Sequence, residues 1–159
     1  MQGLSRLADE IQPHQPPVRL VLDTHVLLDL WLFQDARLAG FEAALQQERV
    51  TWLASPAMLD ELHHVAHRPW EDRWRALPRL FAPQGLYRLC TPPTQAAPWR
   101  SKDPDDQKFL DLAWQEQPVR LWSRDLALLR WAKRAAAHGI QIERPEDGWR
   151  AVQACWSTE

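Results

Sequence analysis

The stretch Arg19–Leu30, RLVLDTHVLLDL, decides the fold. An apolar run, Leu20 to Leu22, ends on one carboxylate, Asp23; Thr24 and His25 follow, and an apolar run then resumes. Val18 to Leu22 reads as a short buried strand. A core strand needs no acid to close it, so Asp23 is either an ordinary polar terminus or the first residue of a site.

Working outward, Val50 to Leu53, Leu86 to Cys90, Val119 to Trp122 and Ile140 to Ile142 are further short apolar runs and predict strands. Helices are predicted between them. One covers His25 to Phe33. A second covers Ala36 to Glu48, where Leu38, Phe41 and Leu45 share a face. A third starts at Ser55-Pro56, with the serine able to cap and the proline tolerated at the first helical position. It turns Met58, Leu62 and Val65 inward and places Glu61 on a neighbouring face. Trp70, Trp74, Leu77 and Phe81 recur at intervals of four, three and four, a helical stripe that Pro78 breaks or ends. Thr91 to Arg100 holds three prolines and reads as a loop. Ser101 to Gln117 opens SKDPDD and continues as a helix with Phe109, Leu112 and Ala113 on its face. Leu126 to His138 is helical and stops at Gly139, and a last helix starts at Pro145. Strands separated by helices imply an α/β fold: a three-layer, doubly wound, mainly parallel sheet of about five strands. Residues 18–159 form one domain, preceded by a loose proline-rich lead over residues 1–17.

The 159 residues suit a single globular domain, and 45% apolar with 25% charged is the mix of a soluble fold. The formal charge of −2 neither supports nor excludes a nucleic-acid partner. Local basic clusters exist: Arg68, Arg73, Arg75 and Arg79 in one stretch, Arg130, Lys133 and Arg134 in another. Their plain reading is a solvated helix face; for the second cluster, contact with RNA phosphate is the functional one. Ten tryptophans stand against one tyrosine. Core filling is the default for such rings, with a partner interface or base stacking as alternatives. Cys90 and Cys155 form no CxxC, which argues against a structural zinc site or disulfide framework and fits a reducing cytoplasm. The opening MQGLSRLADEIQPHQPP has no apolar signal core, and no run approaches membrane-spanning length, so a cytoplasmic protein is expected.

In open parallel sheets, ligands bind beyond the carboxyl ends of the strands, where strand order reverses. Asp23 ends the first strand and Asp125 lies just beyond the fourth. Asp103-Pro104-Asp105-Asp106 opens a helix, where acids offset the helix dipole without any further role. Glu61, taken singly, is an ordinary solvated glutamate. Together these acids are more telling, because carboxylates in one crevice repel unless a cation lies between them. Mg²⁺ or Mn²⁺ takes such oxygen ligands and serves phosphodiester chemistry. No Gly-rich phosphate loop is present, against a nucleoside triphosphatase. His63 and His67, one turn apart, lack an HExxH frame. A dehalogenase-type phosphatase needs a second acid where His25 stands, and a receiver domain needs paired acids in the first loop.

Four motifs in order resemble the PIN-domain nucleases, in particular the bacterial VapC-like toxin branch, from about Val18 to about Trp149. LDTHVLLD resembles the family's first block, a strand ending in Asp-Thr-Asn, and puts its acid on Asp23. SPAMLDELHHVAHRP resembles the second, with its glutamate at Glu61. SKDPDDQKFLDLA resembles the third; its acid lies three residues before a large apolar residue and seven before an alanine, selecting Asp106 over Asp105. LWSRDLALL resembles the fourth, giving Ser123 and Asp125. The resemblance implies a Mg²⁺- or Mn²⁺-dependent site of Asp23, Glu61, Asp106 and Asp125, supported by Thr24, His25, Ser123 and Asp105. It also implies cleavage of single-stranded RNA, a homodimer and an antitoxin protein encoded alongside. Two positions depart from the pattern: His25 replaces the family's Asn, and Ala127 stands where a further Asp is common. Those departures favour the rival reading, a PIN-fold module that binds RNA or a protein partner without cutting.

Overall fold

Residues 15–70 and 83–157 are described in the computed structural model of the chain. The strands are β1 (Val18–Leu22), β2 (Val50–Ala54), β3 (Tyr87–Leu89), β4 (Val119–Trp122) and β5 (Ile140–Glu143). The helices are α1 (Thr24–Trp31), α2 (Phe41–Gln46), α3 (Pro56–Ala66), α4 (Gln107–Gln115), α5 (Leu126–Leu129), α6 (Ala132–Ala136) and α7 (Pro145–Trp156). All strand pairs are parallel, in the order β3-β2-β1-β4-β5. The chain builds outward from β1 to β3, returns past β1, and builds outward again through β4 and β5. The reversal falls between β1 and β4. This is the doubly wound α/β sheet that the strand and helix order predicts.

Side chains alternate across the sheet. Leu20 and Leu22 of β1, Trp52 and Ala54 of β2 and Trp122 of β4 join one core with residues of α1, α2, α3 and α7. Val21, Leu53, Leu121, Ile140 and Ile142 join the other with residues of α4, α5 and α6. Leu20, Val21 and Leu22 are 0–1% exposed. An uninterrupted apolar run hides both faces only with a helix layer on each side, which is why this run specifies three layers. Trp31, Trp52, Trp99, Trp122 and Trp149 are buried, so core filling accounts for five of the nine tryptophans among the described residues. Phe41 packs between Trp122 and Trp149, with centroids 5.2 and 5.5 Å away.

The helices depart from the sequence pattern at three boundaries and one cap. The predicted helix over residues 36–48 is a 3-10 turn, Ala36–Leu38, followed by α2. Gly40 at φ 85° breaks it, since a left-handed residue cannot continue a right-handed helix. Trp149 Nε1 donates to the Ala39 carbonyl at 2.9 Å, which holds the break in place. The predicted helix over residues 126–138 is split into α5 and α6. At Trp131 the main-chain N–H bonds Leu128 O, three residues back, and the indole N–H bonds the Arg100 carbonyl at 3.1 Å. Gly139 closes the segment at φ 74°, as expected. The SKDPDD opening is a 3-10 turn, Pro104–Asp106, before α4 begins; Asp103 caps it by accepting from the Asp105 N–H at 2.9 Å. Ser55 precedes α3, but its side chain makes no capping bond; its buried carbonyl takes the Met58 and Leu59 N–H groups instead. The Trp70–Phe81 stripe beyond Trp70, the cations Arg73, Arg75 and Arg79, and most of the N-terminal lead lie outside the described residues. Among the described residues no helix is long and apolar enough to cross a membrane.

Gly148 of α7 lies against Trp122. A Cβ there would overlap the Trp122 indole and Glu143 Oε1, which accepts from Trp122 Nε1 at 3.1 Å and from Arg120 at 2.5 Å. Alanine is normally the better helix former by about 0.5–1 kcal/mol. At this position overpacking outweighs that gain, at a cost of about 1–3 kcal/mol. Gly148→Ala is expected to melt several degrees below wild type in a thermal denaturation; an unchanged or raised midpoint would contradict the packing.

Candidate active site

The pairing of β1 with β4 builds the site. Leu22 is in register with Trp122, and the Asp23 N–H extends the ladder to Trp122 O at 3.0 Å. The next residues of each strand, Asp23 and Ser123, therefore stand side by side at the point where strand order reverses. Ser123 Oγ donates to Asp23 Oδ2 at 2.7 Å and accepts from the Asp125 N–H at 3.0 Å. Asp23 Oδ1 accepts from the His25 N–H at 3.3 Å, capping α1. Asp125 Oδ1 accepts from the Ala127 N–H at 2.8 Å, capping α5. Each acid thus starts a helix and is held by its main chain.

Asp106 ends the 3-10 turn ahead of α4 and makes no side-chain capping bond, which leaves its carboxyl for the site. It hydrogen-bonds the Asp125 carboxyl. Burial, that bond, and the charges of Asp23, Asp103 and Asp125 push it up to about 7. Asp23 is also raised, by burial first, against the lowering effect of the Ser123 and His25 donors. Glu61, from α3, accepts from Thr24 Oγ1 at 2.7 Å and pairs with Lys108 Nζ at 3.2 Å. Among the described residues no group of three or more carboxylate, imidazole or thiol side chains is already drawn together as a metal cage. What is present is the Asp106–Asp125 pair, with the charges of Asp23 and Asp103 acting on it.

The other predicted residues take varied places. Asp105 is exposed and contributes main-chain groups: its N–H caps onto Asp103 and its carbonyl accepts from Lys108 at 2.5 Å. His25 is exposed and lines an open cleft of about 380 Å³ with Asp23, Asp29, Arg124 and Asp125. Its bond to Asp23 comes from the main chain, so the change from the family's Asn leaves that bond intact. The same holds at Ala127. Arg130, Lys133 and Arg134 are exposed on the segment that follows Asp125. His67 Nδ1 lies 2.8 Å from the His63 carbonyl, and the two imidazole rings sit 4.2 Å apart by their centroids.

Arg124 and Lys108 escape sequence reasoning. Arg124 donates from Nε to Asp29 at 2.7 Å, from Nη1 to Glu146 at 2.6 Å and from Nη2 to Asp35 at 3.3 Å. It joins α1, the turn after it, β4 and α7 at the rim of the cleft. Its partners lie 95, 22 and 89 residues away, so no local pattern announces them. Arg37 also pairs with Asp35, at 2.7 Å, and holds that carboxyl down to about 2.

Residues 19–127, about two-thirds of the chain, match the family model of the PIN domain. The chain belongs to the PIN-domain family. PIN domains are generally nucleases and usually use divalent metals, and the matched region runs from β1 through Asp125. Among curated proteins, none matches the chain.

The raised Asp106 carboxyl gives a signed pH effect. Its native value, about 7, lies above the ordinary 3.8, so the native state holds the proton more tightly than the unfolded chain. Its contribution is full below about pH 4 and is lost as pH rises through about 7. Without divalent cation, the melting temperature of wild type relative to Asp106→Asn is expected to fall between about pH 5 and about pH 8. Parallel pH curves for the two proteins would contradict the shift.

Proposed function

We propose that this PIN domain is a divalent-metal-dependent endoribonuclease that cleaves single-stranded RNA, with Asp23, Glu61, Asp106 and Asp125 as the ligands of Mg²⁺ or Mn²⁺. The observation that carries the reading is the Asp106 carboxyl, bonded to Asp125 and raised to about 7 where strand order reverses. Acids this close resist joint ionisation until a cation joins them. An all-oxygen donor set is the kind that hard divalent ions take, so these residues fit the group. When bound, the ion supplies charge neutralisation at the phosphodiester and a water of lowered pKa.

The chain's own residues do the positioning. Ser123 and the His25 N–H fix the two oxygens of Asp23. The Ala127 N–H fixes one oxygen of Asp125. Thr24 and Lys108 fix Glu61. The Asp106 carboxyl, raised to about 7, holds a proton that metal binding must displace, so metal affinity is expected to rise with pH through about 7. Arg130, Lys133 and Arg134 are the cations proposed for RNA phosphate. The toxin role, a cognate antitoxin protein, the homodimer and a cytoplasmic location are supported by the resemblance of the four motifs to the VapC-like branch. A small co-transcribed reading frame whose product co-purifies with the chain would test the antitoxin pairing.

The direct test is cleavage of unstructured RNA with Mg²⁺ or Mn²⁺. Asp23→Asn, Asp106→Asn and Asp125→Asn are each expected to lose about 100-fold or more in rate. Equal cleavage by wild type and Asp23→Asn would refute the assignment. One observation favours the rival, a module that binds RNA or protein without cutting: Glu61 is already engaged by Thr24 and Lys108. The two readings separate on thermal stability. The nuclease is stabilised by about 2.7 kcal/mol at Mn²⁺ near 100 times its Kd, an effect lost in Asp106→Asn; the silent module is not stabilised. Since the His25 contact with Asp23 is a main-chain one, His25→Asn is expected to leave the melting temperature unchanged, and a drop of several degrees would show that the imidazole itself supports the fold.

A further inference from the structure

We infer that Trp131 is a positioning residue for single-stranded RNA: its indole holds the guanidinium groups of Arg130 and Arg134 as a phosphate clamp beside the acid site. The inference rests on the RNA-directed reading above and adds the residue that organises the contact.

Trp131 stands at the break between α5 and α6. The guanidinium carbon of Arg130 lies 4.9 Å from its ring centroid and that of Arg134 lies 5.4 Å away. An arginine resting on an aromatic ring is confined to few rotamers, while its N–H edge stays open for an oxyanion. Lys133 lies between the two arginines in sequence, and Arg100 meets Trp131 through its carbonyl; both side chains are exposed. None of these four cations pairs with a carboxylate among the described residues. By contrast, Arg124 is committed to three acids, and Arg19, Arg37 and Arg120 to one or two each. Arg130, Lys133 and Arg134 thus put three cations, none with an acid partner among the described residues, within five residues, the complement of a phosphate backbone.

The clamp is braced on the site from both sides. The Trp131 indole N–H bonds the Arg100 carbonyl. The next residue, Ser101, donates its N–H to Gln107 Oε1 at 2.8 Å, and Gln107 Nε2 donates to Trp99 O at 2.9 Å. Gln107 directly follows Asp106. On the other side, Arg130 comes five residues after Asp125, at the far end of the helix that Asp125 caps. In the proposed clamp, phosphates held at Arg130 and Arg134 place a neighbouring stretch of the RNA at the acids. Phosphate contact carries no base information, so the clamp supplies affinity and register rather than sequence preference.

The test is fluorescence anisotropy of an end-labelled oligouridylate with the full chain in EDTA, where binding is read without cleavage, across a salt series. Each phosphate contact removed from a single strand lowers the slope of log affinity against log salt by about 0.7. The double variant Arg130→Gln/Arg134→Gln is expected to lose about 1.4 of slope. Trp131→Ala is expected to weaken binding about 10-fold, and Trp131→Phe, which keeps a ring, to restore most of it. Wild-type affinity and slope in a folded Trp131→Ala, or in the double arginine variant, overturns the inference. If Trp131→Ala fails to fold, the arginine pair, whose side chains are exposed, decides. A wild-type chain that does not bind the oligouridylate overturns the clamp whatever the cleavage assay gives. Binding with the expected losses but no metal-dependent cleavage refutes the nuclease reading alone.

Discussion

The carboxyl end of the sheet depends on one hydrogen bond, from Ser123 Oγ to Asp23 Oδ2, 2.7 Å long and buried. Asp23 is 4% exposed, and a carboxylate so far from water is costly unless donors meet it. Ser123 reaches it because β1 and β4 pair in register up to Leu22 and Trp122. The same hydroxyl oxygen takes the Asp125 N–H. One side chain therefore sets two acids, from strands a hundred residues apart in sequence, in a fixed relation. Lose that pairing and, among the described residues, Asp23 keeps only the His25 N–H as a donor at a buried position.

Around this bond the acids fall into two groups with opposite electrostatics. At the rim, Asp29, Asp35 and Glu146 share Arg124, with Arg37 beside them. Those charges are matched, and their work is to join α1 and α7 to the end of β4. At the centre, Asp23, Asp106 and Asp125 have no ion pair among the described residues, and Asp106 is pushed up by its neighbours. Arginine matches the outer acids and leaves the inner three unmatched, and the proposed cation site rests on that contrast. The two cores on either side of β1 keep this arrangement rigid, since neither helix layer can shift without opening a face of Leu20–Leu22 to water.

Much of the fold is legible in local pattern. The strand runs are short, apolar and bounded by turn residues, and burial on both faces leaves them no other packing. The long helices are less legible. Residues 36–48 and 126–138 carry good helical periodicity, yet each is broken where a tryptophan indole bonds a distant carbonyl: Trp149 to Ala39, Trp131 to Arg100. Periodicity registers which face is apolar, and cannot register a bond whose partner is over a hundred or over thirty residues away. Of the site, the acids showed because each closes a strand or opens a helix. Arg124 and Lys108 did not, because cations near acids look the same in sequence whether they pair or not.

The sequence by itself determined the layer order, the five strands and the placing of Asp23 and Asp125 at strand ends, because burial and helix capping act over a few residues and leave periodic marks. Only the tertiary structure decided which acids share charge. Asp106 meets Asp125, Glu61 is held by Thr24 and Lys108, and Arg124 binds three acids at the rim. Those pairings follow from the return of the chain past β1, which brings remote segments to one edge of the sheet. Electrostatic coupling depends on distance in space and burial, and neither is written in the spacing of residues along the chain.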